Sequence, residues 1–224
     1  MTAIDVAAHL GAVARVVEDR VHNGEPVRVV IASRAYDTTV EDLWDALTSK
    51  ERLPRWFAQV DGDLMLGGKY QVKGNAGGTV LACEPQKSFL LTWEFGGGVS
   101  WVNVALEPTK DGGAHLTLEH IAPVTDHWKS YGPGAVGIGW ELGLLGLGMH
   151  TRSREARDNF NEHVWGASDE GKAFVTATGE GWIAADIAGG EDKADAETRG
   201  RATIAFYRGE PPPGVSHPGA TTER

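Results

Sequence analysis

The chain has 224 residues, of which 41% are hydrophobic and eight are tryptophan, so it is long and apolar enough to bury a sizeable core. A formal net charge of -10 disfavours nucleic acid and anionic membrane as partners, because both are bound through basic patches. The single cysteine, Cys83, excludes an internal disulfide and a multi-cysteine metal site. The sequence has no recognisable signal peptide or membrane span, and we expect a soluble cytoplasmic protein.

The N-terminal part, residues 1–24, is predicted to be an amphipathic helix. Between residues 3 and 22, apolar side chains recur every three or four positions, with charged residues between them. These apolar positions are Val6, Leu10, Val13, Val17 and Val21. The helix is expected to end at Asn23-Gly24.

A strand and two short helices are predicted to follow. Residues 27–36 are rich in β-branched side chains, which favour a strand. Residues 37–39 then begin a helix over residues 40–49, whose first turn carries acidic residues that the helix dipole favours. Residues 53–57, with the sequence LPRWF, are predicted to form a second short helix or turn that carries two aromatic rings.

From residue 64 to residue 121 the apolar pattern changes to a period of two, which indicates an antiparallel meander. The separators between the segments are glycine-rich or contain proline, and several are short enough for hairpin turns. The predicted strands are Leu64–Leu66, Lys69–Lys73, Thr79–Glu84, Phe89–Phe95, Val99–Leu106 and His115–Ile121. A connection over residues 123–134, broken by proline and glycine, leads out of this sheet.

The longest apolar run of the chain, AVGIGWELGLLGLGM over residues 135–149, predicts a helix that is apolar on most of its circumference and therefore buried. Five of its residues are glycine, each of which costs roughly 1 kcal/mol in a helix, so close packing must compensate. Glu141 is the one ionisable group inside the run.

Two further helices are predicted after this run. One begins at Ser168 and places Phe174, Thr178, Trp182 and Ala185 on one side. Gly189-Gly190 ends it, and residues 192–207 form the second helix.

The order of strand, two short helices, meander and long buried helix indicates an α+β helix-grip fold, in which a curved antiparallel sheet wraps around the last helix. The motifs of residues 27–149 resemble the START-like, or SRPBCC, superfamily, in particular proteins similar to the C-terminal domain of the Hsp90 ATPase activator. They are VRVVIASRAYDTTVEDLWDALTSKERLPRWF, LMLGGKYQV, GTVLACEPQKSFLLTWEF, VNVALEPTKDGGAHLTLEH and GWELGLLGL. The chain thus divides into an N-terminal helix (residues 1–24), a helix-grip domain (25–150), a helical appendage (151–210) and a disordered tail (211–224).

The resemblance implies a cavity between the sheet and the last helix, lined by apolar and aromatic side chains with a few polar ones. The candidate ligand-binding residues are Trp56, Tyr70, Trp93, Trp101, His120, Trp140 and Glu141. Each aromatic ring could instead simply fill the core. Glu141 must be paired, reach water or bind a proton, because burial of an unpaired carboxylate is unfavourable. His120 is expected to be a structural histidine, since Glu119 beside it points to the other face of the strand.

Other motifs do not support a site. Residues 132–137 fit GxGxxG, but no strand leads directly into them, as a dinucleotide site requires. Five residues carry side chains that can bind a metal, but their spacing is not typical of a metal site; they are Asp126, His127, His150, Glu162 and His163. We therefore expect no metal and no cofactor. Cys83 is expected to be a buried, inert thiol.

Three functions remain open. The first, which we favour, is a non-catalytic protein that binds a small hydrophobic or aromatic molecule. The second is an enzyme of the polyketide cyclase or hydrolase kind, with Glu141 or His120 as acid/base. The third is a protein-interaction module like the Hsp90 activator. The appendage is expected to dock on its own domain, and the alternative is a homodimer contact.

Overall fold

The sheet is the largest element of the computed structural model, which describes residues 6–152 and 162–211. Its eight strands are β1 (Ala14–His22), β2 (Glu25–Tyr36), β3 (Val60–Gly62), β4 (Lys69–Val72), β5 (Gly77–Glu84), β6 (Ser88–Phe95), β7 (Gly98–Pro108) and β8 (Ala114–Pro123). They lie in the order β1-β2-β8-β7-β6-β5-β4-β3, and neighbouring strands are antiparallel. The predicted meander is therefore confirmed, and the pairing of β2 with β8 joins its end to the N-terminal strands.

Helices cover one face of this sheet. In the described ranges they are α1 (Val6–Ala12), α2 (Val40–Thr48), α3 (Asp126–Tyr131), α4 (Gly134–Arg152), α5 (Glu162–Ala167), α6 (Asp169–Ala188) and α7 (Lys193–Tyr207), with a short 3-10 helix at Leu53–Arg55. The curved antiparallel sheet and the long buried helix α4 confirm the predicted helix-grip fold. Among the described residues, no helix has both the length and the apolar character needed to cross a bilayer.

The predicted N-terminal helix is wrong for most of its length. Of residues 6–24, which the structure describes, α1 alone is helical, and β1 forms a hairpin with β2. The turn is Asn23-Gly24, where both residues have positive φ angles of 53° and 84°, as a two-residue hairpin of type I′ requires. The spacing of Val13, Val17 and Val21 misled the prediction, because a period of four is compatible with one side of a strand as well as with a helix.

Two smaller corrections concern the loops around the sheet. The third strand is β3 rather than the predicted Leu64–Leu66, which lies in the loop before β4. In that loop Met65 and Leu66 are exposed. The predicted irregular connection over residues 123–134 contains the short helix α3. Thr125 caps the N-terminus of this helix, and its side chain accepts a hydrogen bond from the backbone N–H of Trp128.

Helix α4 is covered on two sides, by the sheet and by α6 of the appendage. The close approach to α6 depends on Gly137, because a Cβ atom there would lie 2.4 Å from the indole of Trp182. Trp182 is 1% exposed and is one of the largest side chains in the core. The packing of this ring therefore compensates for the poor helix propensity of glycine.

A buried cluster of charges also fastens the appendage to the sheet. The Asp186 carboxylate of α6 accepts hydrogen bonds from Arg28 of β2 at 2.8 Å and from Arg199 of α7 at 3.0 Å. Burial raises the pKa of Asp186, and the two guanidinium groups oppose that shift. The predicted helix after Ser168 is confirmed, and its apolar side faces its own chain, since Phe174 and Trp182 are buried.

We expect Gly137→Ala to lower the free energy of unfolding by about 1–3 kcal/mol, because the added methyl group overlaps the Trp182 ring. Gly166→Ala is the matched control, since a Cβ at that helical glycine meets no atom within 4 Å. It should be neutral or add up to about 1 kcal/mol of stability through helix propensity. Urea unfolding measures both, and equal effects would contradict the proposed contact.

Candidate functional site

A cavity of about 130 Å³ lies between the sheet and α4. Among the residues that the structure describes, no Asp, Glu, Lys, Arg or His side chain lines it. The lining residues are Leu47, Thr48, Leu53, Trp56, Phe57, Val60, Leu64, Tyr70, Val72, Val80, Cys83, Phe89, Leu91, Trp93, Val102, Val104, Leu116, Leu118, Trp140, Gly143 and Leu144. An apolar wall of this kind is typical of sites for small organic ligands.

Side chains alternate between the two faces along each strand, and this alternation determines which residues form most of the wall. In β6 the residues Phe89, Leu91 and Trp93 point to the inner face, and in β7 and β8 the inward residues pair directly, as Val104 does with Leu118. Helix α4 closes the opposite side through Trp140 and Gly143, which lie one turn apart. The cavity is thus a gap between two elements that the fold itself creates.

Four aromatic rings form one connected wall of the cavity. Phe57 stacks with Trp140 at a centroid distance of 6.3 Å and an interplanar angle of 17°. The ring centroids of Trp93 and Trp140 are 5.0 Å apart, and those of Trp56 and Phe57 are 5.5 Å apart. Such tilted and stacked pairs stabilise one another beyond the area that they bury.

Three polar groups of the lining residues are hydrogen-bonded within the protein. Trp56 Nε1 donates to the carbonyl of Ala46 at 2.9 Å, and the Tyr70 hydroxyl donates to the carbonyl of Thr92 at 2.6 Å. The hydroxyl of Thr48 likewise donates to a backbone carbonyl in α2. These three residues therefore present carbon surface to the cavity rather than free donors, which favours a neutral ligand.

His120 lies behind the aromatic wall and does not line the cavity. Its Nδ1 accepts a hydrogen bond from Trp140 Nε1 at 3.0 Å, and its Nε2 lies 2.9 Å from Ser100 Oγ. Burial lowers the pKa of His120 to about 4, so the ring is neutral at physiological pH. The prediction of a structural histidine agrees with this arrangement.

Glu141 faces the opposite side of α4 from Trp140 and is fully buried. Both of its carboxylate oxygens accept hydrogen bonds from Arg15 of β1, at 2.7 and 2.5 Å. Burial raises the pKa of Glu141, and the Arg15 guanidinium opposes the shift. Glu141 is thus a paired structural carboxylate outside the cavity, and it does not meet the requirement for an acid/base that faces the ligand.

Trp101 and Cys83 also lie where the sequence interpretation did not place them. Trp101 is on the outer face of the sheet, packed against the Val27, Val29 and Ile121 cluster, and its ring lies 4.1 Å from that of His22. Cys83 is exposed rather than buried, and it lines the cavity. The cavity therefore reaches the surface beside Cys83.

Of the seven candidate residues, the structure brings together Trp56, Tyr70, Trp93 and Trp140 around the cavity, and it places the other three elsewhere. The candidate list also lacks Phe57, Phe89, Leu91 and Gly143. Phe89 and Leu91 share the parity of Trp93 in β6, so the period of two was sufficient to find them. Gly143 follows Trp140 by one helical turn, which was a weaker indication.

A metal or dinucleotide site has no support in the described part of the chain. No group of three or more His, Cys, Asp or Glu side chains there is arranged to hold a metal ion. The side chains of Glu162 and His163 lie outside the described set. The GxGxxG segment at residues 132–137 follows α3 rather than a strand.

Comparison with known proteins gives the following likenesses. The family model of the Activator of Hsp90 ATPase homolog 1-like protein matches residues 37–146. CalU16 from Micromonospora echinospora is 31% identical in its crystal structure, with a TM-score of 0.64 over 78% of this chain and 98% of CalU16. The solution NMR structure of CalU16 gives a TM-score of 0.65, with 31% identity over 80% of this chain and 97% of that one. The likeness to CalU16 therefore includes parts of the chain outside residues 37–146.

Two further solved structures share the fold at lower identity. The protein MLL2253 from Mesorhizobium loti is 24% identical, with a TM-score of 0.50 over 60% of this chain and 99% of its own. DynU16, a protein in the dynemicin biosynthetic locus, is 19% identical, with a TM-score of 0.50 over 56% of this chain and 47% of its own. In the comparison with curated proteins, none matches the chain.

We expect Arg15→Met to lower the free energy of unfolding by about 3–5 kcal/mol, because it leaves the buried Glu141 carboxylate without its bidentate partner. The double variant Arg15→Met/Glu141→Leu should recover most of this loss. Arg201→Met is the control, since the exposed pair of Arg201 with Glu197 contributes about 1 kcal/mol or less. Chemical denaturation of the parent chain and these three variants gives the comparison, and a double variant no more stable than Arg15→Met would contradict the pairing.

We also expect the contribution of two buried histidines to stability to fall as the pH is lowered from about 6.5 to 4. His120 and His9 have pKa values lowered to about 4 and about 3, so the unfolded chain binds protons in this range that the folded chain does not. Their contribution is complete above pH 6.5 and is lost on acidification. For His120 it amounts to about 3 kcal/mol. Urea unfolding of His120→Asn should show a smaller pH dependence than the parent chain; equal slopes would contradict a neutral, buried His120.

Proposed function

Since this chain belongs to the START-like family of Activator of Hsp90 ATPase homolog 1-like proteins, we propose that it binds a small, neutral, apolar or aromatic molecule between its sheet and α4. The observation that carries the proposal is a cavity of about 130 Å³ that is lined, within the described ranges 6–152 and 162–211, by uncharged side chains. An apolar protein cavity of roughly 150 Å³ is large enough for benzene. The cavity therefore accommodates one aromatic ring, or one apolar group of a larger molecule that extends through the opening.

The chemistry of the wall defines the ligand class further. The hydrogen-bonding groups of Trp56, Tyr70 and Trp140 are directed to protein acceptors, so a polar ligand atom would lose its hydration without gaining these groups as partners. A carboxylate or ammonium group would lose more, since no charged side chain of the described residues lines the cavity. We therefore expect neutral aromatic molecules to bind and their charged analogues to be rejected.

The enzymatic alternative lacks such support. An acid/base must lie within hydrogen-bond distance of the reacting atoms, but Glu141 is held by Arg15 on the far side of α4 and His120 is held behind the aromatic wall. No specific surface in the described residues favours the chaperone-partner alternative. We therefore favour a non-catalytic binding protein, which requires neither an acid/base at the cavity nor a specific partner surface.

Toluene is a suitable first probe, with benzoate as its charged counterpart. We expect toluene to bind with a Kd on the order of 0.1–1 mM, which corresponds to about 4–5.5 kcal/mol, and to raise the melting temperature. Benzoate should leave both unchanged. Isothermal titration and thermal unfolding measure the two ligands side by side; binding of benzoate with equal strength would contradict an apolar site.

Gly143→Leu is expected to remove toluene binding by filling the cavity. A Cβ at this position lies 3.9 Å from the rings of Trp56 and Phe57, so the larger side chain extends into free space. The Kd should increase more than tenfold while the melting temperature stays the same or rises. Gly166→Leu is the matched control, because that glycine faces open space outside the cavity and its replacement should leave the Kd unchanged. Full affinity in Gly143→Leu would place the ligand elsewhere.

A further inference from the structure

Behind the aromatic wall, a chain of hydrogen bonds connects four elements of the fold. Trp140 of α4 donates to His120 of β8, His120 contacts Ser100 of β7, and the Ser100 hydroxyl donates to the carbonyl of Trp93 in β6 at 3.1 Å. The chain begins and ends at residues whose rings line the cavity. His120 is 2% exposed, so water does not compete for its nitrogens.

The donors and acceptors allow one arrangement of this chain. An indole nitrogen is a donor only, so His120 Nδ1 must accept and its proton must sit on Nε2. Nε2–H then donates to Ser100 Oγ, which leaves the Ser100 proton for the Trp93 carbonyl. Every polar atom from Trp140 to Trp93 is satisfied, and the tautomer of His120 follows from its two neighbours.

The orientation of the Trp140 ring determines the shape of the cavity. That ring contacts Trp93 at 5.0 Å and stacks on Phe57, so it joins the two halves of the aromatic wall. If the indole rotated away, the buried His120 Nδ1 would be left without a partner, which is unfavourable. The ring is therefore held in place by a polar bond on the side opposite the cavity.

From this geometry we propose that His120 is a positioning residue for ligand binding: its Nδ1 holds the Trp140 ring in the orientation that keeps the cavity open to an aromatic ligand. The inference rests on the proposed function of the cavity and deepens it. His120 does not touch the ligand. It acts through Trp140, and the Nε2–H tautomer imposed by Ser100 is a condition for that action.

Three substitutions of His120 separate positioning from packing. Asn places its side-chain oxygen near the position of Nδ1 and so keeps the acceptor for Trp140. Gln places its amide near the position of Nε2 and so keeps the donor for Ser100. Leu keeps neither the acceptor nor the donor. We expect His120→Asn to bind toluene within about threefold of the parent chain. His120→Gln and His120→Leu should bind at least tenfold more weakly, even where the Asn and Gln variants have equal melting temperatures.

A spectroscopic readout tests the same point without a ligand. The indole N–H resonance of Trp140 in ¹H–¹⁵N spectra should shift and lose protection from exchange in His120→Leu and stay near its parent position in His120→Asn. Equal toluene affinity of the Asn, Gln and Leu variants, or an unmoved Trp140 resonance in His120→Leu, would overturn the positioning role while the cavity still bound toluene. Absence of toluene binding to the parent chain would instead overturn the proposed function, and this inference with it.

Discussion

The burial of helix α4 on two sides is the constraint on which the rest of the structure depends. A helix that is apolar around most of its circumference must be covered on opposite faces, and one curved sheet covers only one of them. The appendage supplies the second cover, with the Trp182 ring seated on Gly137. On the sheet side, Gly143 has no side chain to fill the space, and a cavity of about 130 Å³ lies between the helix and the strands. Two glycines of one helix thus serve opposite purposes, close contact on one face and free volume on the other.

The polar groups of α4 are also divided between these two faces of the helix. Trp140 and Glu141 are neighbours in sequence, but successive helical residues differ by about 100° in direction. Trp140 therefore reaches the cavity and His120, while Glu141 reaches Arg15 of the N-terminal hairpin. The charges are used to fasten β1 and the appendage to the helix-grip core, and the cavity wall is left apolar. This separation is the physical basis of the proposed binding of neutral molecules.

The part of the chain that matches the family model and the elements outside it have different roles in the structure. The family model matches residues 37–146, the part that contains the sheet strands β3 to β8 and most of α4. The lining residues of the cavity all lie in this part. The N-terminal hairpin and the C-terminal helices lie outside it, and they contribute the partners of Gly137, Glu141 and Arg28. The cavity thus lies in the part that matches the family model, whereas the elements at both ends supply the contacts on the other side of α4.

The order of elements, the period of two in the meander and the apolar run near position 140 were enough to determine the fold and the inner face of the sheet. The parity of Trp101 with respect to Val102 even places that ring on the outer face, so its inclusion as a candidate was avoidable. Tertiary structure decided the rest. Valines four apart suit a helix or a strand, and only pairing with β2 made Ala14–His22 a strand. Glu141 could have faced the cavity or a partner, and its position was decided by Arg15, 126 residues away in sequence. Local spacing sets which side chains share a face, but which faces meet is decided by contacts between distant segments.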